Sequence, residues 1–402
     1  MNVLMLGWEL PPYFAGGVGV VARALIDSLA ERGNRVTYLM PRAPESGPGE
    51  RAQVIGADAI GERIELPEAT RLSPYWQSAA PHSQSLLLRG AKPHAALYGP
   101  DLVAEVQRFA RAALRAVEAR GLRFDVIHAH DWTTFPAALA IGRASGRPVV
   151  VHVHITEFDK SGGEHADPDV YAIERAGMHG ADRVVAVSHF TARRCREQYG
   201  VPAEKLVVVH NAISGEPGAS LPLPSRGPLV LYLGRMTLQK GPDYFLEAAA
   251  RVLEQRPDAT FVMAGSGDML PELVERAAAM GIGRQVLFTG FLKHEEALEL
   301  HQRASLFVMP SVSEPFGIVP LEALQRGVPV IVSRQSGVSE VLAHALKVDF
   351  WDVERLAARI LSALAFPALS KTLVANGQED LKKLSWARVA ERLLGIYSEL
   401  VH

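Results

Sequence analysis

One pattern constrains this chain more than any other: short β-branched runs alternate with stretches of helical periodicity, and the whole alternation occurs twice. NVLML (2–6), RVTYLM (35–40), DVIHAH (125–130), PVVVHVH (148–154), RVVAVS (183–188) and LVVVH (206–210) are mostly apolar on both faces, as buried parallel strands are. After the first run, VVARALIDSLAERG places Val21, Leu25 and Leu29 on one helical face and stops at Gly33. DLVAEVQRFARAALRAVEARG (101–121) reads as a longer helix with Asp101 as its N-cap. The segment 214–228 has linker composition, and after it the pattern restarts with LVLYLG, ATFVMAG, QVLFTG, SLFVMP and VPVIVS. Such alternation predicts an α/β chain of two doubly wound, Rossmann-like halves facing each other across a cleft. The expected division is 1–213, a linker over 214–228, 229–385, and a closing helix over 386–402. Residues 43–100 interrupt the first half as a Pro-, Gly- and Ser-rich insertion, with a short strand pair expected near 53–66.

A net charge of −2 gives no global attraction to nucleic acid or to an anionic membrane. The single cysteine, Cys195, lies in a helical stretch, so neither a disulfide framework nor a thiolate-rich metal site is expected. No apolar run reaches the ~18–20 residues of a membrane span. The N-terminal run lacks a basic n-region and is broken at Glu9-Leu10-Pro11-Pro12. A cytoplasmic protein without integral membrane association is expected.

In doubly wound sheets, ligands bind outside the carboxyl ends of the strands, and the candidate motifs fall there. Gly17-Val-Gly19-Val-Val-Ala22 formally matches the dinucleotide fingerprint G-x-G-x-x-G/A. Residues 7–16 separate it from the strand, however, and no acidic residue ends the next strand, so a nicotinamide site is not expected. The Gly16-Gly17 pair still opens a helix and lets an anion approach the backbone closely. Gly234-Arg235-Met-Thr-Leu-Gln-Lys240-Gly241 follows its strand directly, and two cations on such a loop can clamp a diphosphate. Ser313-Glu314-Pro-Phe316-Gly317-Ile318-Val-Pro-Leu-Glu322 puts Glu314 in a loop and Glu322 in the helix that Pro320 opens and Gly327 ends. The amides of Phe316, Gly317 and Ile318 precede that helix, where an anion is welcome. His128-Ala-His130-Asp131 and His152-Val-His154 end two strands; alternate residues share a face, so a four-histidine metal site is conceivable beside plain packing. Asp167-Pro-Asp169 reads as a helix cap rather than a metal motif.

The glycine loop, Gly-Arg-x4-Lys-Gly and Glu-x7-Glu, in that order on two α/β halves, resemble the retaining GT-B glycosyltransferases. The likeness is greatest to family 4 and its relatives, the glycogen and starch synthases. The resemblance covers the chain apart from 43–100 and implies the following roles. Arg235 and Lys240 neutralise the diphosphate leaving group in place of a metal. Glu314 holds hydroxyls of the donor sugar, and His154 ends a strand beside it. Glu322 holds the nucleotide ribose. Gly16, Gly17, Asn211, Gly234, Gly265, Gly267, Phe291, Leu292, Phe316, Gly317 and Ile318 surround the donor. Glu9, Tyr13, Asp131, Glu157 and Asp159 lie on the acceptor side, and the last helix crosses back to the first half. The implied donor is UDP-glucose or ADP-glucose, with no cofactor and no essential metal. The implied acceptor is an oligosaccharide, a polysaccharide such as an α-glucan, or a small sugar, with no nucleic-acid partner.

Three positions depart from the pattern. Phe14-Ala15 stands where bacterial glycogen synthases carry Lys, His210-Asn211-Ala-Ile-Ser lacks Gly-Asp after Asn, and ALKVDFWD (345–352) replaces a glycine-rich segment with a small-residue turn. They leave donor and acceptor open. A nucleotide-sugar epimerase of the same architecture and a non-catalytic sugar-nucleotide-binding protein are the competing readings.

Overall fold

The computed structural model describes residues 1–11, 17–43, 52–59, 102–163, 165–215 and 227–401. The first half runs β1 (Asn2–Leu6), α1 (Gly17–Glu31), β2 (Arg35–Met40), β3 (Gln53–Gly56), α2 (Leu102–Ala119), β4 (Val126–His130), α3 (Phe135–Ser145) and β5 (Val149–Val153). It continues through α4 (Glu157–Lys160), α5 (Pro168–Gly180), β6 (Arg183–Ala186), α6 (His189–Tyr199) and β7 (Leu206–Val208). Its seven strands lie in the order β3-β2-β1-β4-β5-β6-β7, with every neighbouring pair parallel.

The second half holds β8 (Leu229–Leu233), α7 (Pro242–Gln255), β9 (Thr260–Ala264), α8 (Leu270–Ala279), β10 (Val286–Gly290), α9 (His294–Arg303), β11 (Leu306–Met309) and α10 (Val319–Gln325). It ends with β12 (Val330–Ser333), α11 (Val338–Val341), β13 (Leu346–Val348), α12 (Val353–Ala365), α13 (Pro367–Leu381) and α14 (Trp386–Val401). The strand order is β10-β9-β8-β11-β12-β13, again parallel throughout. Both sheets are therefore doubly wound, with switch points between β1 and β4 and between β8 and β11.

One local expectation needs correction. Within 345–352, expected as a turn, Leu346–Val348 is an edge strand in register with Ile331–Ser333, and the turn is confined to residues after it; Lys347 and Asp349 break the apolar run that marks a strand in sequence. Of the strand pair expected near 53–66, β3 is described and pairs in parallel with β2; residues 60–101, Asp101 among them, fall outside the described set. Asp167 does cap α5, accepting from the amides of Asp169 and Val170 at 3.0 and 3.2 Å.

One face of the first sheet packs on Phe109 of α2 and Phe135 of α3. The other packs on α1 and on α14, whose Val389, Ala390, Leu393, Ile396 and Tyr397 share a core with Val3, Met5, Leu25 and Leu29. Those α14 positions recur at helical spacing on one stripe, and each large apolar side chain buried there contributes about 1.5–3 kcal/mol. Among the described residues no single helix is long and apolar enough to cross a membrane.

Polar contacts also join the halves. Ser188 Oγ donates to the Pro315 carbonyl at 2.6 Å, and Ser313 Oγ donates to Asp159 Oδ1 at 2.7 Å. The Glu340 carboxylate accepts from the amides of His189 and Phe190, at 2.8 and 2.7 Å, and pairs with His210 Nε2 at 2.8 Å.

Candidate active site

The second switch point carries the charged groups. Chain leaving β8 passes Gly234 and Arg235 and ends in a 3-10 turn, Leu238–Lys240. Gly241 terminates that turn at φ 60°, and a Cβ there would lie 2.2 Å from the Pro310 carbonyl oxygen. Only glycine lets this loop rest against the exit of β11. The result is that Lys240 Nζ meets Glu314 Oε2 at 2.5 Å. Ser311 Oγ donates to the same carboxylate oxygen at 3.3 Å. The Glu314 amide donates to Gln335 O at 3.0 Å and its carbonyl accepts from Gly337 N at 2.9 Å, so the residue is held by both its main chain and its side chain. Arg235 Nη2 donates to Gln239 Oε1 at 3.3 Å, and Gln239 is buried.

Gly265 has φ 132°, and a Cβ on it would sit 2.0 Å from the Gly234 carbonyl oxygen. The loop holding Gly265 and Gly267 therefore lies directly on the backbone of the Arg235 loop, joined by Met236 N donating to Ser266 O at 2.9 Å. Phe316 is buried, and its carbonyl accepts from Val338 N at 2.6 Å. Gly317 adopts φ 100°, and Ile318 is the N-cap of α10. Glu322 lies on α10, half-buried; burial raises its carboxyl, and His294 of α9 and Arg326 oppose that rise. Phe291 after β10 is exposed, while Leu292 packs partly into the core. Asn211 is buried after β7, with no partner for its Oδ1 among the described residues.

On the first half, Gly17 is the first residue of α1; Tyr13 and Gly16 fall outside the described residues. Glu9 is buried, and its carbonyl accepts from Tyr38 Oη at 2.6 Å. Asp131 stands at φ 56°, the left-handed region that non-glycine residues enter at a cost. Its carboxylate accepts from the His154 amide at 2.7 Å, tying the end of β4 to the end of β5. The N-cap of α3 is Thr134. Asp159 accepts from Thr156 N and Oγ1 at 2.8 and 2.7 Å, pairs with Arg194 at 3.3 Å and takes the Ser313 hydroxyl from the other half. Glu157 pairs with Lys160 at 3.7 Å, both buried. Its amide donates to Glu174, whose carboxyl burial pushes up to about 8. The structure thus builds Glu157 and Asp159 into α4 and its contacts with the second half.

His128, His130, His152 and His154 share one face of the sheet, as their spacing predicts, with His130 opposite His152 in register. The ring nitrogens bond to one another: His128 Nε2 to His152 Nδ1 at 3.2 Å, and His130 Nδ1 to His154 Nε2 at 2.8 Å. Nitrogens of His128, His130 and His152 also lie within 4.8 Å of one another, a spacing a metal ion could use. Burial holds all four rings uncharged, with His154 brought down to about 3. The hydroxyl of Tyr397 on α14 reaches His128 Nδ1 at 2.6 Å. Neither Tyr397 nor Glu340 had a signal of its own in the sequence; each acts through a partner far away in the chain.

Residues 15–216 match the family described as Glycosyltransferase Family 4, half of the chain, and residues 218–380 match Glycosyl transferases group 1. The chain is 27% identical to an uncharacterized glycosyltransferase, MJ1607, of Methanocaldococcus jannaschii, over 99% of this chain and 98% of that one. It is 27% identical to a glycogen synthase of Mycobacterium tuberculosis, over 99% and 94% respectively. Among solved structures, sucrose-phosphate synthase from Thermosynechococcus elongatus superposes with a TM-score of 0.77 at 21% identity, covering 99% of this chain and 98% of the other. Cations and carboxylates gathered at one switch point, two facing doubly wound sheets and these matches lead to one conclusion: the chain belongs to glycosyltransferase family 4, has the GT-B fold, and transfers a sugar from a nucleotide diphosphate sugar to an acceptor.

Proposed function

We propose that the sugar is glucose, delivered from UDP-glucose or ADP-glucose to an α-glucan with retention at the anomeric carbon. The observation that carries the reading is the Lys240–Glu314 pair at 2.5 Å on the β8–β11 switch point, with Arg235 on the same loop. A bound donor would divide that pair: its diphosphate takes the ammonium, and its sugar hydroxyls take the carboxylate. As the bond from the anomeric carbon to phosphate breaks, Arg235 and Lys240 hold the charge that grows on the leaving oxygens. The acceptor hydroxyl attacks from the same face and passes its proton to the departing phosphate. Glu322 receives the ribose, His154 stands beside the sugar, and the first half supplies the acceptor side. Likeness to a glycogen synthase along almost the whole chain supports glucose and α-glucan.

The test is a panel of nucleotide sugars, each incubated with and without maltooligosaccharides, reading nucleotide release and product mass. Glucose-specific release that depends on the oligosaccharide, with products one hexose heavier, is expected. Acceptor-independent release of free nucleotide would point to an epimerase, and tight donor binding without turnover to a binding protein.

A further inference from the structure

The imidazole cluster extends well behind the sugar site. His154 follows β5 at the carboxyl edge of the sheet; His152 and His128 lie deeper, and the column ends on α14, a helix from beyond the second half. We propose that Tyr397 is a positioning residue for sugar transfer: its hydroxyl fixes which nitrogens of the buried column carry protons, and so holds the ring of His154 in place. The proposal rests on the reading that His154 stands beside the donor sugar.

Proton accounting gives the column a direction. A neutral imidazole has one donor and one acceptor nitrogen. If Tyr397 donates to His128 Nδ1, then His128 carries its proton on Nε2 and donates to His152 Nδ1. One donor, His152 Nε2–H, is then left over. In the reverse arrangement the phenol O–H is left over as a buried donor, and His152 Nε2 as a buried acceptor. The second pattern strands two groups where the first strands one, and an unmet buried polar group costs about 1–3 kcal/mol. A phenol is also far the better proton donor of the two groups. Burial raises the pKa of Tyr397 above its ordinary value, which keeps its proton in place.

The column then meets His154 through packing. The rings of His152 and His154 stack at 4.2 Å between centroids with 29° between planes. His130 holds the Nε2 edge of the His154 ring at 2.8 Å. Among the described residues, His130 Nε2, His152 Nε2 and His154 Nδ1 have no hydrogen-bond partner. Tyr397 is therefore the group outside the four rings whose hydroxyl bonds a nitrogen of the column and so biases its tautomers. Without it both tautomers of His128 and His152 become accessible, and the face against which His154 stacks is no longer fixed.

The experiment uses the full chain with 15N-labelled histidine and long-range proton–nitrogen spectra, with rings assigned by single substitutions. In the unmutated protein His128 and His152 are expected to carry their protons on Nε2; a proton on Nδ1 of His128 overturns the proposal. Tyr397→Phe keeps the ring and removes the hydroxyl. It should give mixed tautomers at His128 and His152 and lower kcat roughly 10- to 100-fold, the scale of a misplaced reacting group, with KM for the donor little changed. Activity is read as nucleotide release from UDP-glucose or ADP-glucose with maltopentaose, normalised to folded protein by circular dichroism. Unchanged ring spectra in Tyr397→Phe, or mixed tautomers with unchanged kcat while His154→Ala is inactive, overturn the proposal. Full activity in His154→Ala instead overturns the reading of His154 on which it rests.

Discussion

Lys240 and Glu314 are paired before any donor arrives, and the pairing decides what each substitution does. Removing Lys240 leaves a largely buried carboxylate without its cation and, in the role proposed for it, a diphosphate without its clamp. Lys240→Ala and Arg235→Ala should each lower kcat by ~10²–10³, as loss of one transition-state donor does. Single-turnover measurement at saturating donor checks this, and near-normal turnover in either variant would remove that residue from the leaving-group site. The loop holding both cations was legible in the sequence, because Arg235, Lys240 and Gly241 lie within one short strand-to-helix connection. The contacts of Asp159 were not. The sequence shows an Asp in a polar loop, but not that Ser313 from the other half donates to it at 2.7 Å. A hydrogen bond across that sequence distance leaves no local trace.

At the level of elements, the strands were legible wherever apolar runs were continuous, and β13 was missed because Lys347 and Asp349 break its apolar run. The shared face of β4 and β5 was also legible, since residues two apart on a strand point the same way. What it does to stability follows from the charge state of its rings. Each of the four histidines is held below the ordinary value near 6.5 by burial, His154 down to about 3. In the unfolded chain they titrate near 6.5, so the unfolded state takes up protons first as pH falls. Stability is therefore at its full value above about 6.5 and is lost as the pH drops below it. Melting temperature should fall between about pH 7 and about pH 5, and His152→Phe should flatten that fall. Scanning calorimetry across the range tests it; equal slopes in the two proteins would show that acid sensitivity arises elsewhere.

Over the whole molecule, the hydrogen bonds between the halves named above lie at loop and helix ends. Glu340 makes three of them, to two amides at the start of α6 and to His210. Hydrogen bonds to a charged group contribute about 1.5–3 kcal/mol each when buried, and less here because the site is partly exposed. Glu340→Ala should shift the halves apart. The radius of gyration from small-angle scattering should rise, and KM for the donor should increase several-fold with a smaller change in kcat. An unchanged radius together with an unchanged KM would mean that Glu340 does not hold the halves. The two-halved architecture could be read from the repeated alternation, whereas the placement of one half on the other depends on such single side chains.

The helix α14 also bears on how the protein is made. It follows every strand of both sheets in the chain, yet its Val389, Ala390, Leu393, Ile396 and Tyr397 complete a core built on β1 and α1. Synthesis from the N-terminus therefore delivers the first sheet with the part of one apolar face that α14 covers still open while the second half is translated. Until residues 386–401 emerge from the ribosome, that face is a binding site for chaperones and a route to aggregation.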